Sequence, residues 1–285
     1  AGVASSDFTM GHRVLAPGKH QIPSADQYES VVRGAFVVPT ESERRALIEE
    51  NVRKAEEDNP GCIAVLPAKT LAEVVNLSEY PTVLVGSFDE EFLKVPEEIT
   101  VDAMLMHQRY FPLYRDGALT NRFVIVSNGD PAYSDNVIDG NERVVAARLY
   151  DAKFFYEEDL KVPLEGYVER LDEVVFQEKL GTMRAKTDRV VQLAEKLCLD
   201  AAVSDAEADM VARAAKLAKA DLVTNAVVEF TSVQGIMGSY YAAAAGEHER
   251  VAQAIADHYR PRFAGDEPPA DLVGRMVALA DKVDT

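Results

Sequence analysis

Asp221, Asn225 and Glu229 recur at steps of four and so share one face of a helix read through residues 205–229, with Lys219 just ahead of them and Asp281 and Asp284 near the chain's end. Carboxylates and an amide gathered this way could line a pocket that grips RNA or a partner helix. The plainer reading, a solvated stripe, is favoured, because runs of charge usually face water. His248 and His258 stand ten residues apart, too far to share a helix face as metal ligands. His107 could serve as a general base, although a lone histidine at a helix end is more often a hydrogen-bonded structural residue. No GxxxxGK[ST] loop and no GxGxxG at a strand-helix junction is present, so the sequence carries no recognisable phosphate cradle. There is likewise no GxSxG elbow and no cysteine near a plausible histidine, and no residue is assigned a catalytic role. Cys62 and Cys198 lack CxxC spacing and read as buried thiols rather than zinc ligands or a disulfide.

The elements that would position these groups fall into two halves. In the first, VVRGAFVV at 31–38, CIAVLPA at 62–68 and PTVLVGS at 81–87 are short, β-branched and bounded by Gly or Pro, which predicts strands. Between the first two, Thr40 and Glu43 have capping-box spacing, and Leu47, Ile48, Val52 and Ala55 recur at helical intervals. A second helix is expected over 69–80. YFPLY and RFVIVSN flank Asp116-Gly117, which supplies the positive φ of a hairpin turn. From Asn136 onward the strand signals vanish. Val145, Leu149, Ala152, Tyr156 and Leu160 mark one face of a long helix ended by Pro163. Further helices are expected at 183–198, 205–229, 234–245, 248–259 and 271–284, with Ser204 and Glu207 as a capping box and Asp271 as the last cap. The glycines of GIMGSYYAAAAG at 235–246 suit close helix packing. The fold class is α+β, with a mixed domain at 1–150 and an all-α domain at 151–285.

Length fits two domains, since 285 residues exceed the common single-domain range. Hydrophobic residues at 47% and charged residues at 27% exclude a disordered chain. No apolar run is long enough to span a bilayer and no signal-peptide pattern stands at the start, so a cytoplasmic protein without a membrane partner is expected. A net charge of −18 argues against a general nucleic-acid platform, because non-specific affinity for phosphate comes from Lys and Arg. RNA binding, if present, must be local.

GNERVVAARLYDAKFFYEEDL at 140–160, VFQEKLGT at 175–182 and HYRPRFAGDE at 258–267, in this order and spacing, closely resemble the beta subunit of the bacterial heterotetrameric glycyl-tRNA synthetase. TMGHR at 9–13, MHQRYFPLY at 106–114, RFVIVSNGD at 122–130, KADLVTNAVVEF at 219–230 and VQGIMGSYYA at 233–242 agree. The family's subunit is more than twice this length, so the resemblance implies an internal piece, cut before the anticodon-reading region. It also implies an editing-type module in the first half and an HD-like helical domain in the second.

The same resemblance implies a class II glycine–tRNA ligase whose alpha subunit forms the adenylate, so that ATP and Mg2+ serve the holoenzyme and no cofactor binds this piece. Implied partners are glycine tRNA and the alpha subunit. The RNA-binding candidates are cations within the matching motifs: Arg13 with His12, His107, Arg109, Arg143, Arg148, Lys153, Lys179 and Arg262. Arg presents a planar fork for phosphate and can stack on unpaired bases, which suits the acceptor end. Tyr110, Phe111, Phe154, Phe155 and Phe263 sit beside several of them, with Phe155 and Phe263 read as core. Arg143 with Asp139 and Arg148 with Asp151 are also spaced for ordinary helical ion pairs. An active HD site would need a His-Asp pair, further His ligands and a distant Asp around one divalent metal. Here the corresponding set is Lys219, Asp221, Asn225 and Asp281, and a lysine in place of an imidazole opposes cation binding, so no metal is expected. Departures from the family pattern are Met10 for Arg, Asn225 for Glu and Val228 for Gly. An HD-type phosphohydrolase and a pure assembly scaffold are the competing readings, and a proofreading hydrolase in the first domain is a further one.

Overall fold

The computed structural model describes residues 6–284 and divides between Tyr150 and Asp151 into two compact units. The first opens with a two-stranded ribbon, β1 (Phe8–Met10) and β2 (Lys19–Gln21), followed by helices α1 (Tyr28–Gly34) and α2 (Glu41–Glu57). Then come β3 (Cys62–Ala64), α3 (Ala68–Leu77), β4 (Thr82–Ser87), α4 (Glu97–Gln108), β5 (Phe111–Arg115), β6 (Ala118–Ser127) and α5 (Ser134–Asp159), which runs on into the second unit. Strands β3 to β6 form one antiparallel sheet in the order β3-β5-β6-β4, and the α+β class expected from the sequence holds.

The β5–β6 turn is the predicted one. Asp116 and Gly117 both have positive φ, 51° and 81°, the backbone twist that joins two strands through two residues. On one face of the sheet, Ile48, Val52, Leu71, Val74 and Val75 from α2 and α3 pack on Cys62, Phe111, Leu113 and Val124. Elsewhere on the sheet Phe123 stacks between Tyr110 and Phe88, with ring centroids 5.2 and 6.4 Å away. A Cβ on Gly86 would meet the Phe123 ring at 2.8 Å, so only glycine fits beneath it.

Residues 31–38 correct the sequence reading. They form the end of α1 and the turn after it, with Phe36 in the left-handed region (φ 56°), rather than a strand. Arg33 ties Glu29 one turn back and Glu43 on α2, both at 2.6 Å, and Val32 and Ala35 are buried. Burial of Val32 and Ala35 on one side of the helix, with the Arg33–Glu29 pair on its surface, goes with helix here in spite of the β-branched pair's preference for extended chain. Thr40 does precede α2, but its hydroxyl donates to the Glu43 carboxylate instead of accepting from the backbone.

The second unit holds the last residues of α5, a ribbon of β7 (Val175–Gln177) and β8 (Gly181–Thr182), and helices α6 (Met183–Asp200), α7 (Asp205–Leu217), α8 (Asn225–Glu229), α9 (Ile236–Ala244), α10 (Glu249–Asp257) and α11 (Leu272–Val283). The ribbon corrects the all-α expectation: VFQEKLGT pairs with itself around a turn. Helix α5 buries Val145, Leu149 and Ala152 as predicted, but it stops at Asp159, and Leu160 is exposed. Asp271 caps α11 by accepting from the Val273 N–H at 2.9 Å. The continuous helix expected over 205–229 is broken after α7 by a 3-10 turn at Ala220–Val223. Thr224 restarts the chain as the cap of α8 while its hydroxyl donates to the Asp221 carbonyl at 2.7 Å. The break turns the Asp221 carboxylate inward, where no solvated stripe could place it.

Candidate functional site

Fully buried Asp221 reaches α9 with one oxygen. Its Oδ2 accepts from the Gly235 N–H at 2.5 Å and the Gly238 N–H at 3.0 Å. Gly238 is required for this approach, since a Cβ there would lie 2.8 Å from Ile255 and 3.0 Å from that same oxygen. The expected role of these glycines in close packing therefore holds, with a carboxylate as one of the packed partners. The other oxygen of Asp221, Oδ1, is buried without a hydrogen bond, and burial raises the pKa of Asp221 to about 6.

Lys219 lies 6% exposed beside it, with its ammonium 3.0 Å from Asp281 Oδ2 and 3.9 Å from the centroid of the Tyr259 ring. Lys186 on α6 adds a second buried ammonium, 3.2 Å from both Asp281 and Asp284, and Arg189 one turn on binds Asp284 at 2.6 Å. Burial alone would raise the Asp281 pKa, but its charged surroundings, Lys219 foremost and Lys186 among them, together outweigh it and hold the carboxyl below the usual range. His258 completes the cluster. Burial and the nearby lysine hold it down to about 3, so it is a neutral imidazole, with Nδ1 against the Ile255 carbonyl at 2.6 Å.

Lys186 and Lys219 place two ammonium groups among the cluster's carboxylates, which already neutralise them, and positive charge there opposes binding of a divalent ion. Among the described residues no group of three or more His, Cys, Asp or Glu is arranged to hold a metal ion. His248 is elsewhere, capping α10 through Nδ1 at 3.1 Å from the Arg250 N–H. Asn225 also leaves the predicted set. Its backbone and side-chain N–H groups donate to Asp159 Oδ1 at 2.9 and 2.8 Å, while Ala226 N–H and the Tyr241 hydroxyl satisfy Oδ2. Glu229 lies exposed, off this cluster. Sequence reading thus missed Lys186, Arg189 and Asp159, and it set His258 aside without placing it in this cluster. The one available signal was Lys186 and Arg189 three apart on an otherwise amphipathic helix; their partners are some 95 residues distant.

The RNA candidates lie on several elements. In the first unit Arg13 is exposed in the turn after β1, and Arg109, the left-handed cap of α4, pairs with Glu73 at 3.0 Å. His107 is half-buried in the last turn of α4. Arg143 is 78% exposed and pairs with Asp139 at 2.9 Å, as its spacing predicted. Arg148, and Lys153 in the second unit, are half-buried on α5. Lys179 is exposed in the β7–β8 turn, and Arg262 is exposed with its guanidinium 5.8 Å from the Tyr259 ring. Three corrections apply. His12 is wholly buried, its Nδ1 accepting from Val14 and Leu15, so it is a structural residue. Tyr110 and Phe111 are core residues, and Phe263 is 70% exposed instead of buried.

The profile of a family described as "Glycyl-tRNA synthetase beta subunit" matches residues 1–285. The glycine–tRNA ligase beta subunit of Moorella thermoacetica is 48% identical over 100% of this chain and 41% of its own length. That of Trichodesmium erythraeum is 45% identical over 99% of this chain and 40% of its own. That of Glaesserella parasuis is 46% identical over 100% and 41%. The chain therefore spans about two fifths of the curated relatives it matches.

Proposed function

Because the chain belongs to the glycyl-tRNA synthetase beta subunit family, we propose that it is the part of a glycine–tRNA ligase that holds tRNA and braces the assembly while another subunit performs the chemistry. ATP and Mg2+ would supply glycine activation on the alpha subunit, and this chain's residues would position the acceptor side of the tRNA. We read the first unit as a synthetase editing-type module and the second as an HD-like domain, in a cytoplasmic heterotetramer.

The observation that supports this division of labour is the buried Lys219–Asp281 pair. A buried ammonium already paired with the carboxylate opposes binding of a divalent cation there, which supports a platform over a metal-dependent hydrolase. With a net charge of −18, binding must use discrete exposed arginines rather than a broad basic surface. Arg13, Arg109, Arg143 and Arg262 are the exposed arginines among the candidates, and Lys179 is exposed as well. The test is the salt dependence of tRNA binding by the complete synthetase. Affinity should fall steeply as salt rises, with a slope reduced by about one for each phosphate-contacting arginine replaced by Ala. Metal-dependent phosphate release by this subunit, with tRNA affinity indifferent to these arginines, would contradict the proposal.

A further inference from the structure

The loop at 258–266 carries the most exposed aromatic ring among the described residues, Phe263 at 70% exposure, and yet its backbone is tied down on every side. Lys282 donates to the carbonyls of His258 and Arg260 at 3.2 and 2.8 Å. The Asp266 carboxylate accepts from the Arg262 N–H at 2.7 Å, and the Asp266 N–H donates to the Phe263 carbonyl at 3.1 Å, closing a tight turn under the ring. Tyr259 forms the floor, its ring between the Lys219 ammonium at 3.9 Å and the Arg262 guanidinium at 5.8 Å. A large apolar side chain held in water on a pinned loop is pre-organised to receive a flat ligand, since little further ordering is needed when one arrives.

We propose that Phe263 is a stacking platform for an unpaired nucleobase, with the Arg262 guanidinium placed for the adjoining phosphate. The inference rests on the RNA-binding reading above and sharpens it to one ring. A base offers a π-face to any aromatic whatever its identity, and stacking of this kind needs a single accessible ring rather than an apolar area. A protein partner would need the area. Around Phe263 the loop offers the polar Arg260, Arg262 and Asp266 and the small apolar Pro261 and Ala264, so no second large apolar side chain is exposed beside the ring within the loop. Single-stranded RNA is thus the ligand that the loop fits.

The test uses the complete synthetase and glycine tRNA carrying 2-aminopurine at each unpaired 3′ position in turn. Binding should quench fluorescence at one position. Phe263→Leu should abolish that quench and weaken Kd roughly 5- to 150-fold without changing the salt slope. Phe263→Trp should restore both, while Arg262→Ala should lower the slope by about one. If Phe263→Leu binds and quenches like the wild type, the stacking proposal is overturned while the RNA-binding reading stands. If it leaves RNA binding intact but loosens subunit assembly, the ring is a protein contact and the proposal is again overturned. If the wild-type synthetase does not bind the labelled tRNA, the underlying RNA-binding reading falls as well.

Discussion

The sheet of the first unit and the helical interior of the second solve burial in opposite ways. Around β3 to β6 the interior is Ile48, Val52, Phe111, Leu113 and Val124, apolar groups that need shape but no partners. Around α6, α7 and α11 it includes Lys186, Lys219, Asp221, His258 and Asp281, each of which must be neutralised or hydrogen-bonded. The difference teaches where the second unit is committed. Replacing an apolar residue leaves a hole, whereas removing one member of a buried charge set leaves an uncompensated ion, and the set cannot be altered piecemeal. Here the buried carboxylates already neutralise the buried lysines, so the charges are committed to one another.

The comparison breaks most readily at Lys219. Lys219→Ala should cost on the order of 3–5 kcal/mol in denaturant unfolding, because Asp281 loses its closest counter-ion inside the protein. Lys219→Met with Asp281→Leu should recover most of that loss, and failure to recover would mean that more than charge is at stake. In the apolar unit, Leu113→Ala should cost roughly 3 kcal/mol, with no dependence on pH between 5 and 8. pH separates the two interiors. The folded pKa of Asp221 is raised to about 6 from 3.8, so its contribution is fully present below the lower value and is lost as pH rises through the upper one. The stability of Asp221→Asn relative to wild type should therefore improve by on the order of 2–3 kcal/mol between pH 4 and pH 7. A flat difference across that range would show that the two backbone N–H groups hold Asp221 ionised throughout. The smallest effect belongs to the surface: Arg143→Ala should shift the thermal midpoint hardly at all, since exposed ion pairs contribute about 0–1 kcal/mol.

What was legible in the sequence was local. Asp116-Gly117 dictates its turn from two residues, and Val145, Leu149 and Ala152 dictate a buried helix face by spacing alone. What was illegible depended on partners far along the chain. The break between α7 and α8 is stabilised by Asp159, 66 residues before Asn225, and by the inward turn of Asp221, neither of which leaves a periodic trace. The charged cluster joins Lys186 to Asp284 across 98 residues. Lys219, Asp221 and Asp281 were picked out together through family resemblance, and the structure brings those three into one cluster while Asn225 leaves it for Asp159. Residues 31–38 misled because two adjacent valines resemble a strand wherever they occur, while the burial of Val32 and Ala35 that goes with the helix depends on tertiary packing. Phe263 misled because an aromatic beside arginines reads as core until its exposure is seen.

The central claim is that this chain positions tRNA for a reaction whose covalent steps occur elsewhere. The most direct measurement compares two activities of the complete synthetase bearing Arg13→Ala, Arg109→Ala and Arg143→Ala together: ATP–pyrophosphate exchange with glycine, and glycylation of tRNA. The account predicts wild-type exchange with strongly reduced glycylation. Equal loss of both, or glycylation at the wild-type rate, would contradict it.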